Sequence, residues 1–189
     1  MIKIGILGDI GSGKTHVGRC FGYPVFNADK EVIKLYKNDL KVFKKLAKSL
    51  PKFIYSFPIN KSEITKAILS NNSNLKKIIK IVHKEVRKKM NAFLRRNKKK
   101  RIVILDIPLL LENKINNKKD ILVFVESKRS DILKRLKKRN NFNEKLYKKF
   151  KNIQLPLSYK KRKSKFIIRN DFKNKSVKKS IKDMLNQIQ

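Results

Sequence analysis

The chain has 189 residues, with 51 Lys and Arg against 14 Asp and Glu, and a formal net charge of +37 at pH 7. Its length is typical of one domain with a sizeable core, and its 40% hydrophobic content argues against compositional disorder. A single cysteine excludes an internal disulfide framework and a cysteine-based zinc site, and no apolar run approaches the ~18 residues of a membrane span. We therefore expect a soluble, cytoplasmic protein.

The lysine excess has two explanations. Lys, Ile and Asn are all favoured by AT-rich coding sequences, and the lysines occur in every segment, so the charge can reflect drift on solvated surfaces. Alternatively, the charge attracts an anionic partner such as a nucleotide, a CoA-like molecule, a nucleic acid or an acidic membrane. Charge alone does not distinguish these partners.

The first strand-like run, 2–7, leads into a glycine-rich turn. This turn matches the phosphate-binding pattern G-x-x-x-x-G-K-[ST] at every fixed position, as Gly8-Asp9-Ile10-Gly11-Ser12-Gly13-Lys14-Thr15. Glycines let successive backbone N–H groups turn toward a phosphate, and a helix is predicted to follow. Lys14 would reach the β- and γ-phosphates, and the Thr15 hydroxyl would ligate Mg²⁺. The pattern predicts binding of ATP or GTP.

A second short strand, 24–26, precedes Asn27-Ala28-Asp29. Open α/β folds bind ligands at the carboxyl edge of the sheet, so Asp29 could accept the proton of a substrate hydroxyl. The alternative is that Asp29 is the N-cap of a helix that covers 29–36. Spacing alone favours the cap.

Three further helices are predicted over 39–50, 60–69 and 73–97, and the spacing of Asn60 and Glu63 is that of a capping box. The last of them carries a sustained 3.6-residue apolar stripe. His83 and Arg87 share one edge of this stripe and could together bind an anionic substrate. A lone histidine in such a position is more often structural.

The apolar run 102–105 is typical of a buried parallel strand and is followed by Asp106-Ile107-Pro108-Leu109-Leu110-Leu111-Glu112. An acidic residue at the end of such a strand is typical of a Walker B carboxylate near Mg²⁺. The alternative for Asp106 is a polar strand terminus followed by a turn. Another buried strand is predicted over 121–125.

Residues 128–165 contain 16 Lys and Arg but only two acidic residues. Helices are predicted over 130–139 and 143–153, with Arg139 at the end of the first and a break at Asn140-Asn141. A basic helix–turn–helix suits a mobile lid that brings an arginine onto phosphates, whereas a solvated lysine face is the alternative. A last strand over 166–168 and a C-terminal helix to residue 188 follow.

Strands that alternate with helices predict an α/β fold, with a doubly wound parallel sheet of the P-loop NTPase type. We expect one domain, in which the helical block from about 30 to 97 lies largely outside the sheet.

In their order along the chain, these motifs resemble those of the dephospho-CoA kinase family. The phosphate loop is shared by many NTPases, but the strings D-I-P-L-L-x-E and H-x-x-V-R are much more specific. The resemblance extends through nearly the whole chain, by way of 10–15, Asn27-Ala28-Asp29, 82–87, 106–112, Arg139, and 154–170 with Gln154, Pro156, Lys160 and Asn170.

The resemblance implies ATP-dependent phosphorylation of the ribose 3′-hydroxyl of dephospho-CoA, with Mg²⁺ as cofactor. It also implies a single P-loop kinase domain with three parts: a core of about 1–29, 98–127 and 164–189, a helical acceptor-binding region of about 30–97, and a helical lid of about 128–163. Asp29 becomes the base or the hydroxyl-orienting residue, Lys14 and Arg139 join it in catalysis, and Asn170 lies near the adenine of ATP. The acceptor site would comprise Asp29, His83, Arg87 and Asp106. The nucleotide site would comprise Asn170 and the loop residues Asp9, Ile10, Gly11, Ser12, Gly13, Lys14 and Thr15, with Thr15 and Asp106 toward Mg²⁺.

The chain departs from the family pattern at Asn27, where an Asp is usual, at Lys84, where a Pro is usual, and at Lys165, where an acidic residue is usual. Two alternatives to this function stay open. One is a small P-loop kinase that acts on a nucleoside or nucleoside monophosphate, and the other is a basic P-loop protein that binds RNA. We expect a small-molecule acceptor, no specific nucleic acid, no membrane, and a monomer or weak homo-oligomer.

Overall fold

A computed structural model describes residues 1–140 and 142–188, and its chain forms two compact units. The first unit contains Met1–Asn27, Asn97–Phe142 and Lys151–Gln189, and the second contains Ala28–Arg96 and Asn143–Phe150. The chain thus leaves the first unit directly after Asn27. Asn141, one half of the predicted helix break, lies outside the described residues.

The first unit is built on a five-stranded sheet in which every pairing is parallel, so the predicted α/β fold is confirmed. Its spatial order is β2-β3-β1-β4-β5. The strands are β1 (Ile2–Gly8), β2 (Val25–Asn27), β3 (Ile102–Asp106), β4 (Ile121–Glu126) and β5 (Phe166–Arg169). Because all strands run in one direction, the residues that follow β1, β2 and β3 emerge at the same edge.

Helices cover this sheet and bury its apolar strands. The helices assigned to the first unit are α1 (Lys14–Cys20), α6 (Arg129–Lys137), α8 (Leu157–Lys163) and α9 (Asn174–Asn186). Ile4, Ile6 and Ile104 are fully buried in a cluster that also contains Val17 of α1 and Val177 of α9. Burial from helices is the reason that these strands are near-continuous apolar runs in the sequence.

The second unit contains four consecutive helices, α2 (Ala28–Asn38), α3 (Leu40–Ser49), α4 (Lys61–Ser70) and α5 (Asn72–Arg96). The 25-residue α5 packs against the other three, as its predicted apolar stripe requires. The buried members of that stripe are Leu75, Ile78, Val82, Val86 and Met90. A further helix, α7 (Glu144–Asn152), begins in this unit.

The capping box predicted for Asn60 and Glu63 is wrong. Asn60 does precede α4, but its side chain makes no capping bond to any described residue. Glu63 is only 2% exposed, and its carboxylate accepts hydrogen bonds from the Tyr55 and Ser56 backbone N–H groups, at 3.1 and 3.4 Å, and from the Ser56 hydroxyl. A buried carboxylate requires several donors, and the preceding loop supplies them. Glu63 therefore fixes that loop instead of the helix end.

Helix α8 has no counterpart in the predicted elements. Its sequence from Leu157 to Lys163 lacks an apolar stripe, and its one buried residue is Lys160. A helix held by a buried lysine leaves no hydrophobic periodicity to detect.

Within the described part of the chain, no helix has the length and apolar character that a membrane span requires.

Candidate active site

The phosphate-binding pattern forms the loop between β1 and α1 in the first unit. Gly11 and Gly13 both have φ of 85°, a left-handed conformation that favours glycine. A Cβ at Gly13 would also collide with the side-chain amide of Asn170. Conformation and space thus both require glycine at position 13.

Lys14 folds back over this loop. Its ammonium donates to the carbonyl oxygens of Asp9 at 2.7 Å and Gly8 at 3.3 Å. The Asp9 carbonyl also accepts the Ser12 N–H at 3.2 Å and so closes the turn. The loop therefore holds a cation next to its own backbone, and this arrangement suits binding of polyphosphate.

Asp106, Thr15 and Asn27 meet at the carboxyl edge of the sheet. Asp106 ends β3 and is 3% exposed, and its Oδ2 accepts from the Thr15 hydroxyl at 2.6 Å and from the Asn27 amide at 2.5 Å. Asn27 lies opposite Asp106 in the pairing of β2 with β3. A carboxylate and a hydroxyl are hard oxygen ligands, so this donor set fits Mg²⁺.

Asn170 supports the phosphate loop from the end of β5. It is buried, its amide donates to the Ser12 carbonyl at 2.8 Å, and its Oδ1 accepts the Phe172 N–H at 3.0 Å. Ser127 donates to the same Ser12 carbonyl at 3.0 Å. Arg135 of α6 lies 4.2 Å from the centroid of the Phe172 ring. Sequence reasoning missed Ser127 and Phe172, and the role of Asn170 toward adenine stays a prediction.

Glu112 ends the motif that Asp106 begins, and it forms a buried ion pair with Lys160 of α8. Their side chains are 10% and 3% exposed, and Nζ of Lys160 lies 2.6 Å from Oε1 of Glu112. The same carboxylate oxygen accepts the Leu155 N–H at 3.0 Å. Glu112 thus fixes the segment that leads into α8 to the loop that follows β3.

Because removal of one partner leaves an uncompensated buried charge, we expect Lys160→Met to lower the free energy of unfolding by about 3 kcal/mol. Urea denaturation measures this change. The matched control is Lys161→Met, whose pair with Glu126 is 45% and 34% exposed, and which should cost less than about 1 kcal/mol. Equal losses from the two variants would contradict a structural role for the Glu112–Lys160 pair.

Asp29 lies in the first turn of α2 and is exposed, and α2 already begins at Ala28. The interpretation of Asp29 as an N-cap is therefore wrong, since a cap precedes the first helical residue. Asp29 and Glu31 instead supply negative charge to the first turn of the helix. The sequence places Asp29 two residues after Asn27.

His83 and Arg87 lie one turn apart on α5, beside the buried Val82 and Val86. Burial lowers the pKa of His83, and the Arg87 guanidinium lowers it further. The imidazole is therefore neutral at pH 7. Arg87 is exposed, and the two side chains present one cation and one neutral donor–acceptor group on the same helix.

Arg139 follows the C-terminal end of α6 and is exposed. Its N–H donates to the Leu136 carbonyl at 3.1 Å, and its own carbonyl accepts the Phe142 N–H at 3.0 Å. The arginine thus lies in a turn that connects α6 to the segment before α7.

Comparison with known proteins gives one consistent result. A family model described as dephospho-CoA kinase matches residues 2–176. A dephospho-CoA kinase of Wolbachia pipientis is 32% identical, over 98% of this chain and 97% of that protein. Two solved structures share the fold. A Thermus thermophilus protein has a TM-score of 0.79 at 23% identity, with 100% and 98% of the chains covered. A dephospho-CoA kinase from Campylobacter jejuni has a TM-score of 0.62 at 19% identity, with 98% and 96% covered.

Proposed function

This chain belongs to the dephospho-CoA kinase family, and we propose that it transfers the γ-phosphoryl group of ATP to the ribose 3′-hydroxyl of dephospho-CoA to give coenzyme A. The observation that carries the proposal is the family match over residues 2–176. The phosphate loop and the Thr15–Asp106 contact support it independently, because both are the parts that a P-loop kinase requires.

In this reaction the 3′-oxygen attacks the γ-phosphorus, the bond to the ADP oxygen breaks, and the hydroxyl proton leaves. The glycine-rich loop and Lys14 bind the β- and γ-phosphates, and Asn170 lies toward the adenine. Thr15 and Asp106 would hold Mg²⁺, which neutralises charge on the phosphates. The fit of a hydroxyl and a buried carboxylate to this cation supports the assignment.

Asp29 accepts the proton of the acceptor hydroxyl, or orients that hydroxyl for attack. Its position at the start of α2, two residues after the end of β2, supports this role, because ligands of open α/β folds bind at the carboxyl edge of the sheet. His83 and Arg87 contact the anionic acceptor, whose phosphate groups Arg87 can pair with. We infer a lid over about 128–163 that is anchored at its C-terminal end by the Lys160–Glu112 pair, with Arg139 as the cation that it brings to the transferred phosphoryl group.

A coupled assay of ADP formation tests the function. We expect turnover with dephospho-CoA to exceed that with AMP or adenosine by orders of magnitude, because the acceptor is the family's own. Comparable or greater turnover with AMP or adenosine would favour a nucleoside or nucleotide kinase. The charge of +37 is the sole support for RNA binding. If RNA binds weakly and its affinity falls steeply as the salt concentration rises, the binding is general electrostatic attraction.

Arg139→Ala should lower kcat by roughly 10²–10³-fold, because a cation that contacts the transferred phosphoryl group stabilises the transition state. The control is a Lys145→Gln, Lys148→Gln double variant, in which exposed cations of α7 lose their charge. It should leave kcat unchanged and only weaken the salt dependence of kcat/KM. Lys149 is kept, since it donates to the Ile68 carbonyl at 2.7 Å. Small, equal effects from both variants would contradict the lid assignment.

A further inference from the structure

The phosphate loop contains a carboxylate, Asp9, at the second position of its motif. Oδ1 of Asp9 accepts the Ile10 N–H at 2.7 Å and forms an ion pair with Nζ of Lys151 at 2.6 Å. The two side chains are 15% and 36% exposed. Lys151 lies in the last turn of α7, and both residues belong to the first unit. No sequence motif includes Lys151, which is one of 16 Lys and Arg residues between positions 128 and 165.

A carboxylate at this position opposes the task of the loop. The Lys14 ammonium donates to the backbone carbonyl oxygen of Asp9. The Lys14 ammonium and the Asp9 carboxylate therefore belong to the same turn. A polyphosphate drawn to Lys14 would be repelled by an unpaired Asp9 carboxylate at short range. The Lys151 ammonium compensates that negative charge, and Asp9 still accepts the hydrogen bond from the Ile10 N–H.

The segment after Lys151 is held in place by further contacts within the same unit. Glu112 accepts the Leu155 N–H and pairs with the buried Lys160, and Glu126 pairs with Lys161 at 2.6 Å. Side-chain entropy is one of the costs that make partly exposed ion pairs weak, because two long side chains must be held in one geometry. A backbone fixed at residues 155 and 160 reduces that cost for Lys151.

We propose that Lys151 is a positioning residue that acts through Asp9: it neutralises the Asp9 carboxylate, keeps it on the Ile10 N–H, and thereby preserves the affinity of the phosphate loop for ATP. The inference rests on the proposed function only in its choice of ATP as the ligand. It assigns Lys151 no direct contact with the nucleotide, and this separates it from a cation that binds phosphate.

A double-mutant cycle tests the proposal, with ATP affinity measured by calorimetry in the absence of acceptor. Lys151→Gln should weaken ATP binding about tenfold, because one unpaired charge now faces the polyphosphate. Asp9→Asn should bind ATP at least as tightly as the wild type, since asparagine keeps an oxygen for the Ile10 N–H. The double variant should return to within about threefold of the wild type, because the charge that Lys151 compensated is gone.

Two controls separate this effect from general charge and from folding. Lys148→Gln removes one cation from the same helix, where Lys148 pairs with the exposed Glu144, and should leave ATP affinity unchanged. Lys151→Arg should keep it within about threefold of the wild type. In turnover assays, Lys151→Gln should raise KM for ATP while kcat at saturating ATP stays within about twofold.

Two results would overturn the inference. Lys151→Gln that binds ATP as tightly as Lys148→Gln would show that the ion pair has no effect on the loop. A double variant as weak as Lys151→Gln would show that Lys151 contacts the nucleotide itself. Neither result depends on the acceptor, so failure of the proposed kinase activity, seen as no turnover of dephospho-CoA by the wild type, is a separate outcome.

Discussion

Lys14→Ala should lower kcat by a factor of about 10³ or more and leave the Tm within a few degrees of the wild type. The ammonium donates to the backbone carbonyl oxygens of Gly8 and Asp9, whereas in the proposed reaction it would neutralise charge that develops on the β- and γ-phosphates. Its loss therefore affects the transition state far more than the fold. Steady-state turnover with dephospho-CoA and thermal unfolding measure the two effects.

Arg19→Ala is the matched control for Lys14→Ala. Arg19 is an exposed cation in the last turn of α1, the same helix that Lys14 begins. This variant changes the net charge by the same amount and should leave kcat within about twofold. Near-normal turnover in a folded Lys14→Ala variant would contradict the assignment of the nucleotide site.

Asp29→Asn should lower kcat by roughly 10²–10⁴-fold, because an amide cannot accept the proton of the acceptor hydroxyl. The variant keeps nearly the same shape, and Asp29 is exposed in a helix that already begins at Ala28. Stability should fall by no more than the ~0.3–1 kcal/mol that a charge contributes near a helix N-terminus. Turnover and thermal unfolding of the same preparation give both values.

Glu31→Gln is the matched control for Asp29→Asn, because it separates an effect on kcat from an effect on the stability of α2. Glu31 is the second acidic residue in the first turn of α2 and pairs with Lys34 at 2.7 Å. Its replacement removes the same charge from the same helix end and should leave kcat unchanged. If Asp29→Asn instead behaved like Glu31→Gln, with intact kcat, Asp29 would be a structural residue.

The parts of the fold that were predictable are those in which burial or backbone conformation restricts residue choice. The strands β1, β3 and β4 are covered by helices, so they are apolar runs of the correct length. The loop between β1 and α1 requires glycine at positions with left-handed backbone conformation, so its pattern can be recognised in the sequence. The long stripe on α5 was predictable because one face packs against three helices.

The parts that were not predictable depend on polar partners far apart in the sequence. Glu63 serves a preceding loop, Lys160 holds α8 through Glu112, and Lys151 reaches Asp9 across 142 positions. No periodicity marks such pairs, and each lysine looks like its many solvated neighbours. Only the fold selects which of them is buried or paired.

The departure at Asn27 acquires a physical meaning in the structure. Its amide donates to the Asp106 carboxylate at 2.5 Å, which an ionised aspartate at the same position could not do. Asn27 therefore gives the Asp106 carboxylate a hydrogen-bond donor where an aspartate would place a second carboxylate beside it.

The most direct test of the kinase assignment is to follow the γ-phosphoryl group itself. Purified protein is incubated with dephospho-CoA and ATP labelled in its γ-phosphate, and the labelled product is separated and treated with a 3′-nucleotidase. The assignment predicts that the label appears in coenzyme A, that the 3′-nucleotidase releases it, and that Lys14→Ala abolishes its transfer. Label that stays in ATP, appears only as free phosphate, or resists the 3′-nucleotidase in another product would contradict the assignment.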